Sequence, residues 1–254
     1  MPDLDRLLPE IVALADRAGA VILEHYQGDV AVRAKADASP VTAADEAAEA
    51  VILARLAELT PDIPVVAEET VASGHVPDVD DRPFWLVDPL DGTKEFLSRN
   101  GEFTVNVALI EDRLPILGVV LAPARARAWW GARGKGAGAR DPEGNIRAIA
   151  VRQAPAGGLV AIASRSHRDA ETQAFLDRAG VAECISAGSS LKFCLVAEGQ
   201  ADLYPRFGRT MEWDVAAGHA VLSAAGGRVT TKDGAPFLYR KPGFENPPFI
   251  ARGA

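Results

Sequence analysis

The run "WLVDPLDGTKEF", residues 85 to 96, is apolar until it reaches Asp88 and Asp91, and Gly92, Thr93 and Lys94 follow at once. Other elements also present acids: the strand "VVA" ends on Glu68 and Glu69, and Asp214 stands at the start of a helix behind Trp213. Each has an ordinary explanation, with Asp91 as a turn residue, Asp214 as a helix cap and the glutamates as a solvated edge. Together they point to a partner. Carboxylates that converge at strand ends repel one another unless cations neutralise them, and an all-oxygen set suits Mg²⁺ or Mn²⁺. Gly92 and Thr93 open a helical turn whose free N–H groups favour an anion, of which phosphate is the natural choice. Two cations about 3.5–4 Å apart, sharing Asp88, would activate a water and stabilise the leaving oxygen of an in-line displacement, with the Thr93 hydroxyl turned to that water.

Such a site needs rigid elements behind it. Leu4, Leu7, Leu8, Ile11, Leu14, Ala18, Val21 and Ile22 recur at helical spacing and predict a helix over residues 4–26. Thr42 caps an alanine-rich second helix running to Leu59. Asp45, three residues after Thr42, fits either a capping box or a catalytic role. Strands are predicted at "IPVVA", "FWLV", "FTVNVALI", "ILGVVLA" and "ARAWW", and in the third Phe103, Val105, Val107 and Leu109 alternate with Thr104, Asn106 and Ala108. The glycine-rich residues 131–145 read as a hairpin and loop, because the Gly-Lys-Ser/Thr order of a P-loop is missing. Beyond them a strand at "LVAIAS", a helix at 169–179, a helix from Ser189 to Glu198, the segment "ADLYPRF" and a helix from Asp214 to Ala225 give an α/β pattern. The expected organisation is an α+β half, residues 1–150, and an α/β half, residues 151–254, packed as one catalytic unit with a boundary near 145–158.

Among 254 residues, 48% are hydrophobic and no apolar run reaches the roughly 18 residues of a membrane span, which predicts a cytoplasmic protein. The net charge of −8, from 27 basic and 35 acidic residues, argues against a broad nucleic-acid surface but permits an anionic small molecule bound through cations. Cys184 and Cys194 lack metal or redox spacing and read as core thiols. Trp129 and Trp130 read as packing residues on a strand.

The joint occurrence of "AEET", "DPLDGT" and "EWDVAAGHAVLSAAGG", with Asp88 20 residues after Glu68, resembles the inositol monophosphatase superfamily over almost the whole chain. The resemblance implies a five-layer αβαβα sandwich and a Mg²⁺-dependent phosphatase using two or three ions, with Mn²⁺ as a substitute. It also implies that Glu68, Asp88, the carbonyl of Leu90, Asp91 and Asp214 are metal ligands, with Asp88 bridging. Glu68 and Thr93, supported by Asp45, would orient the water, and Glu69 would stand behind them. Lys35 and Asp37 lie on a segment that covers the metals in relatives.

Within that superfamily, "DPLDGTKEFLSRNGEFTVNVALI" is most similar to the bacterial 3'(2'),5'-bisphosphate nucleotidases of the CysQ type, with Lys94-Glu95 as the first discriminator. The second is "AGSSLKFC" with "YPRFGRTMEWD", carrying Lys192 and Arg206 where an inositol phosphatase has small residues and an acid. In this reading the 3'-phosphate of adenosine 3',5'-bisphosphate meets Gly92, Thr93 and Lys94 beside the metals, while Ser189, Lys192, Arg206 and His167 meet the 5'-phosphate and nucleoside. From the residues alone, Lys192 could equally be an exposed helix residue, Arg206 a surface charge and His167 a loop residue or cap; Arg165, Arg168 and Arg209 read as solvated. The resemblance adds the 3'-phosphoadenylyl sulfate as a second substrate, inhibition by lithium and a place in sulfate assimilation. It also leaves open a monomer or homodimer, and a peripheral position at the inner membrane face. Two rivals remain: a phosphatase for inositol phosphate or another sugar phosphate, and a regulatory binding protein on the same fold.

Overall fold

In the computed structural model, which describes residues 2–28, 32–34, 40–163 and 170–254, the described residues build two large sheets with helices outside and between them, and a two-stranded antiparallel ribbon, β1–β2. The first half runs α1 (Leu4–Gln27), β1 (Val32–Ala34), β2 (Pro40–Thr42), α2 (Ala43–Leu59), β3 (Val65–Ala67), α3 (Glu68–Ala72), β4 (Phe84–Asp91) and α4 (Thr93–Leu97). It continues through the strands β5 (Thr104–Glu111), β6 (Leu114–Ala122), β7 (Arg127–Ala132), β8 (Gly136–Arg140) and β9 (Ile146–Ile149). The rest comprises β10 (Leu159–Ala163), α5 (Ala170–Arg178), β11 (Val181–Ser186), α6 (Leu191–Ala197), β12 (Leu203–Arg206), α7 (Glu212–Ala224), β13 (Arg228–Thr231) and β14 (Phe249–Arg252).

Strands β3 to β9 form a seven-stranded sheet in sequence order, antiparallel except for the parallel β3–β4 pair. The second sheet is mixed and ordered β11-β10-β12-β14-β13. Helices α1 and α2 pack on one face of the first sheet, α6 and α7 lie between the two sheets, and α5 packs against β11. The layers therefore run αβαβα, as expected.

The alternation in β5 acquires a meaning here. Every residue of the strand is buried, because both faces of the sheet are covered. Val105, Val107 and Leu109 join the core under α1 and α2, whereas Ala108 and Ile110 join the core under α7. Thr104 and Asn106, also on the α7 side by alternation, are left at the end of the strand beside Asp91.

Three expectations change in detail. Glu68 and Glu69 do not finish a strand; they open the short helix α3. The glycine-rich segment is more regular than a loop, since β8 and β9 complete a meander with β7. Cys194 is a buried core thiol, but Cys184 is only half-buried on β11, which has one sheet neighbour and so less cover. Trp129 is buried, and its indole N–H donates to Glu198 Oε1 at 2.9 Å, a packing role.

Candidate functional site

The end of β4 departs from regular pairing. Asp88 faces Asn106 and Asp91 faces Thr104, with a register shift between them, so the strand bends where its acids stand. Asp88 is buried, and its Oδ1 accepts the N–H of Leu90 at 3.0 Å. Gly92 then adopts φ +90°, and a Cβ there would fall onto the Ser189 hydroxyl, so glycine is required both for the turn into α4 and for the approach of that loop.

Asp91 is half-buried at the wall of a cleft. Its Oδ2 makes long contacts with neutral donors: Ser190 Oγ at 3.3 Å, Thr104 Oγ1 at 3.5 Å and Asn106 Nδ2 at 3.5 Å. Burial, with the charges of Glu95 and Glu68 adding to it, pushes its pKa up to about 6 against the pull of Lys192. Asp214 is raised well above the ordinary carboxylate range by burial and by the charges of Asp91 and Glu68. Its Oδ2 accepts the N–H of Met211 at 2.8 Å, closing the first turn of α7.

Glu68, Asp91, Gly92, Thr93, Lys94, Ser189, Lys192, Arg206 and Asp214 line one cleft, together with Glu95, Phe193, Tyr204, Thr210 and Val215. The structure therefore gathers residues from α3, the β4–α4 turn, α6, β12 and α7. Asp88, Leu90 and Asp45 are buried in the material around that cleft and do not line it. His167, Lys35, Asp37, Arg165 and Arg168 lie outside the described residues. Arg209 is exposed and pairs with Glu245.

The two readings of Asp45 turn out to be compatible. Its Oδ2 accepts from Thr42 N at 2.9 Å and from Thr42 Oγ1 at 2.6 Å, which is the capping box of α2, while Oδ1 accepts from Thr93 Oγ1 at 3.4 Å. One carboxylate starts the helix and also reaches the threonine of the cleft.

Lys192 is not an exposed helix residue. It is 5% exposed, its Nζ donates to Ser189 O at 2.6 Å and Ala187 O at 3.3 Å, and the ammonium stands 5.4 Å from the Tyr204 ring centre. Burial lowers its pKa to about 8 although Asp91 opposes that change. Arg206 donates from Nη2 to Arg209 O at 3.2 Å, while its buried Nε has no hydrogen-bond partner among the described residues.

Three supporting acids are not evident from the sequence. Glu49 accepts from Glu69 N and Thr70 N, both at 2.8 Å, and so caps the helix that begins with Glu68. Glu212, fully buried, accepts from Arg240 N at 2.9 Å and Lys241 N at 2.8 Å, and its carboxylate pairs with Lys241 Nζ at 2.6 Å, fastening the start of α7. Glu102 accepts from Gly188 N at 2.8 Å. Only Glu49 carries a sequence signal, since it lies four residues after Asp45 and hence on the same helical face.

The donor set is made of hard oxygens, and two of its members, Asp91 and Asp214, have raised pKa values in part because other acids stand near them. That chemistry fits a hard divalent cation rather than a soft or redox metal. No three acidic, histidine or cysteine side chains among the described residues form a finished metal cage. Instead Asp88 and Asp214 each give an oxygen to a backbone N–H, leaving the acids distributed around the cleft.

The family model of the inositol monophosphatase family matches residues 3–250. The chain is 51% identical to the 3'(2'),5'-bisphosphate nucleotidase CysQ of Escherichia coli (strain K12) over 96% of this chain and 98% of that protein. Among solved structures it is similar to CysQ from Bacteroides thetaiotaomicron, a bacterial member of the inositol monophosphatase family, with 38% identity, a TM-score of 0.80 and 95% of each chain covered. The inositol monophosphatase from Anabaena (Nostoc) sp. PCC 7120 superposes with a TM-score of 0.79 at 28% identity, covering 100% of this chain and 92% of that one.

Proposed function

Because this chain belongs to the inositol monophosphatase family, we propose that it is a metal-dependent phosphatase removing the 3'-phosphate of adenosine 3',5'-bisphosphate to give AMP and phosphate, with the 3'-phosphoadenylyl sulfate as a further substrate. The observation that carries the substrate choice is the pairing, in one cleft, of the acid cluster Glu68, Asp91 and Asp214 with the cations Lys192 and Arg206. A substrate with one phosphate uses only the first set, whereas a bisphosphate uses both. Similarity to the nucleotidases at about half identity over nearly the whole chain supports the same choice over an inositol phosphate.

Glu68, Asp88, the Leu90 carbonyl, Asp91 and Asp214 would hold Mg²⁺, or Mn²⁺ in its place; when bound, the cations polarise the phosphoryl group and acidify a water. The remaining work falls to the chain. Gly92 and Thr93, which line the cleft at the start of α4, would bind the phosphate through their N–H groups, and Lys94 adds charge at the rim. Thr93 Oγ1, which donates to Asp45 Oδ1 and so offers its lone pairs, would orient the water together with Glu68, whose carboxylate would take up the water's proton. Gly92 lets the backbone approach the anion closely, and Asp45 keeps the threonine hydroxyl turned to one side. Ser189 and the guanidinium of Arg206, which line the same cleft, meet the second phosphate, with Lys192 beneath them adding positive charge and holding the loop in place. We place this activity in the cytoplasm and in sulfate assimilation, and expect lithium to inhibit it; no helix among the described residues is long and apolar enough to cross a membrane.

The test is Arg206→Ala. Loss of a charge-assisted hydrogen bond worth roughly 1.5–3 kcal/mol should raise KM for adenosine 3',5'-bisphosphate about 10- to 100-fold. The KM for adenosine 3'-monophosphate, which lacks the second phosphate, should stay close to that of the parent protein. Equal loss on both substrates would remove Arg206 from the second phosphate.

A further inference from the structure

We infer that Glu102 is a positioning residue for the metal-binding aspartates, acting through the loop Ala187–Ser190; the inference rests on the metal-dependent reading above. Glu102 lies between α4 and β5 and is 7% exposed. Its Oε2 accepts the Gly188 N–H at 2.8 Å and its Oε1 accepts Arg125 Nη2 at 2.8 Å. Gly188 is pressed against this segment: a Cβ there would stand 2.8 Å from the Glu102 carbonyl and 2.9 Å from Glu95 Cγ.

The two serines after Gly188 show why the anchor matters. Ser189 sits at φ 47°, in the left-handed region, which a serine keeps only with outside support. Its hydroxyl donates to the Asp91 carbonyl at 2.8 Å. The Ser190 hydroxyl donates to the Asp214 carbonyl at 2.8 Å and stands 3.3 Å from Asp91 Oδ2. Two successive serines thus tie the end of β4 to the start of α7, and so set Asp91 relative to Asp214. Lys192 braces the same loop through the carbonyls of Ala187 and Ser189, but it rides on α6 directly after the loop and moves with it. Glu102 is an anchor on the first sheet's side that holds the loop's backbone itself, through the Gly188 N–H. Without it, Ser189 is free to leave the left-handed region, Ser190 loses its place, and the aspartates no longer keep one spacing. Glu102 itself does not line the cleft.

The experiment measures Mg²⁺ binding by titration calorimetry, with kcat and KM beside it, on the full chain and on Glu102→Ala, Glu102→Gln, Glu102→Asp and Arg125→Ala. Supporting groups of this kind alter metal affinity by about 10- to 100-fold when removed, so Glu102→Ala should bind Mg²⁺ at least about tenfold more weakly and lose kcat. Glu102→Gln keeps an oxygen for the Gly188 N–H and should stay within about threefold of the parent, as should Arg125→Ala, which removes the ion pair but leaves the bond to Gly188. Glu102→Asp keeps the charge but is a methylene too short for Gly188, and should behave like the alanine variant; it also serves if that variant melts too early to titrate. Parent-like Mg²⁺ binding in Glu102→Ala or Glu102→Asp overturns the inference, as does an equal loss in Glu102→Gln and Arg125→Ala. A parent protein that takes up no Mg²⁺ overturns the metal-dependent reading as well.

Discussion

Asp88→Asn is expected to lower kcat by about three orders of magnitude or more, while the protein stays folded with an unchanged or higher Tm. The two halves of that expectation come from different properties of the same side chain. As a proposed bridging ligand, the carboxylate contributes charge that an amide cannot supply, and loss of about 4 kcal/mol of transition-state stabilisation corresponds to roughly a thousandfold in rate. As part of the fold, Asp88 accepts the Leu90 N–H through Oδ1, a bond that the asparagine carbonyl oxygen can also accept. Removal of a buried negative charge beside the other acids is then neutral or stabilising for the fold without metal. Turnover measured with excess Mg²⁺, together with thermal melting in chelator, separates the two. Activity within tenfold of the parent would remove Asp88 from the metal site; a collapse of Tm would make its role structural.

The second large effect is a loss of stability in acid, through His219. This residue is buried on α7, with Nδ1 2.9 Å from the Tyr239 hydroxyl and its ring against Phe237, and burial with the nearby Lys241 charge lowers its pKa to about 3. The unfolded chain takes up a proton near pH 6.5, well before the folded protein does. Below that pH the unfolded state binds more protons, so the contribution of His219 is full above pH 6.5 and declines as pH falls towards 3. Between pH 6.5 and 5 the decline amounts to about 2 kcal/mol. Other groups titrate in the same window, so the useful quantity is a difference: urea unfolding at both pH values for the parent and for His219→Gln, which can keep a bond to Tyr239. The variant should lose about 2 kcal/mol less than the parent over this interval. Identical pH dependence in the two proteins would show that His219 does not titrate in the way its burial implies.

Much of this site is legible in the amino-acid sequence, for a physical reason. Acids that close apolar runs are conspicuous, and the helical and strand periodicities around them extend over long segments, as in α1, α2 and β5. The pieces that resist are short or distant. Helices α3 and α4 have five residues each, too few for a periodic signal, although one opens with Glu68 and the other with Thr93. Glu102 meets Gly188 across 86 residues and Glu212 meets Lys241 across 29, and nothing local in either glutamate distinguishes it from a surface acid. Lys192 shows the same limit from the other side. Its position on a helix is legible, but its burial over Tyr204 and under the Ala187–Ser190 loop depends on how α6 fits between the two sheets. The choice between cap and catalysis for Asp45 cannot be made locally because both oxygens are used, one within the helix start and one across 48 residues to Thr93.

Whether the protein is a metal-dependent phosphatase that prefers a bisphosphorylated nucleotide is decided by phosphate release from adenosine 3',5'-bisphosphate beside inositol 1-phosphate at equal concentrations, with Mg²⁺ and with chelator. Release should be rapid from the nucleotide, slow from inositol phosphate and absent from either in chelator. Equal or faster release from inositol phosphate would contradict the role given to Lys192 and Arg206, and release that persists in chelator would contradict the metal centre itself.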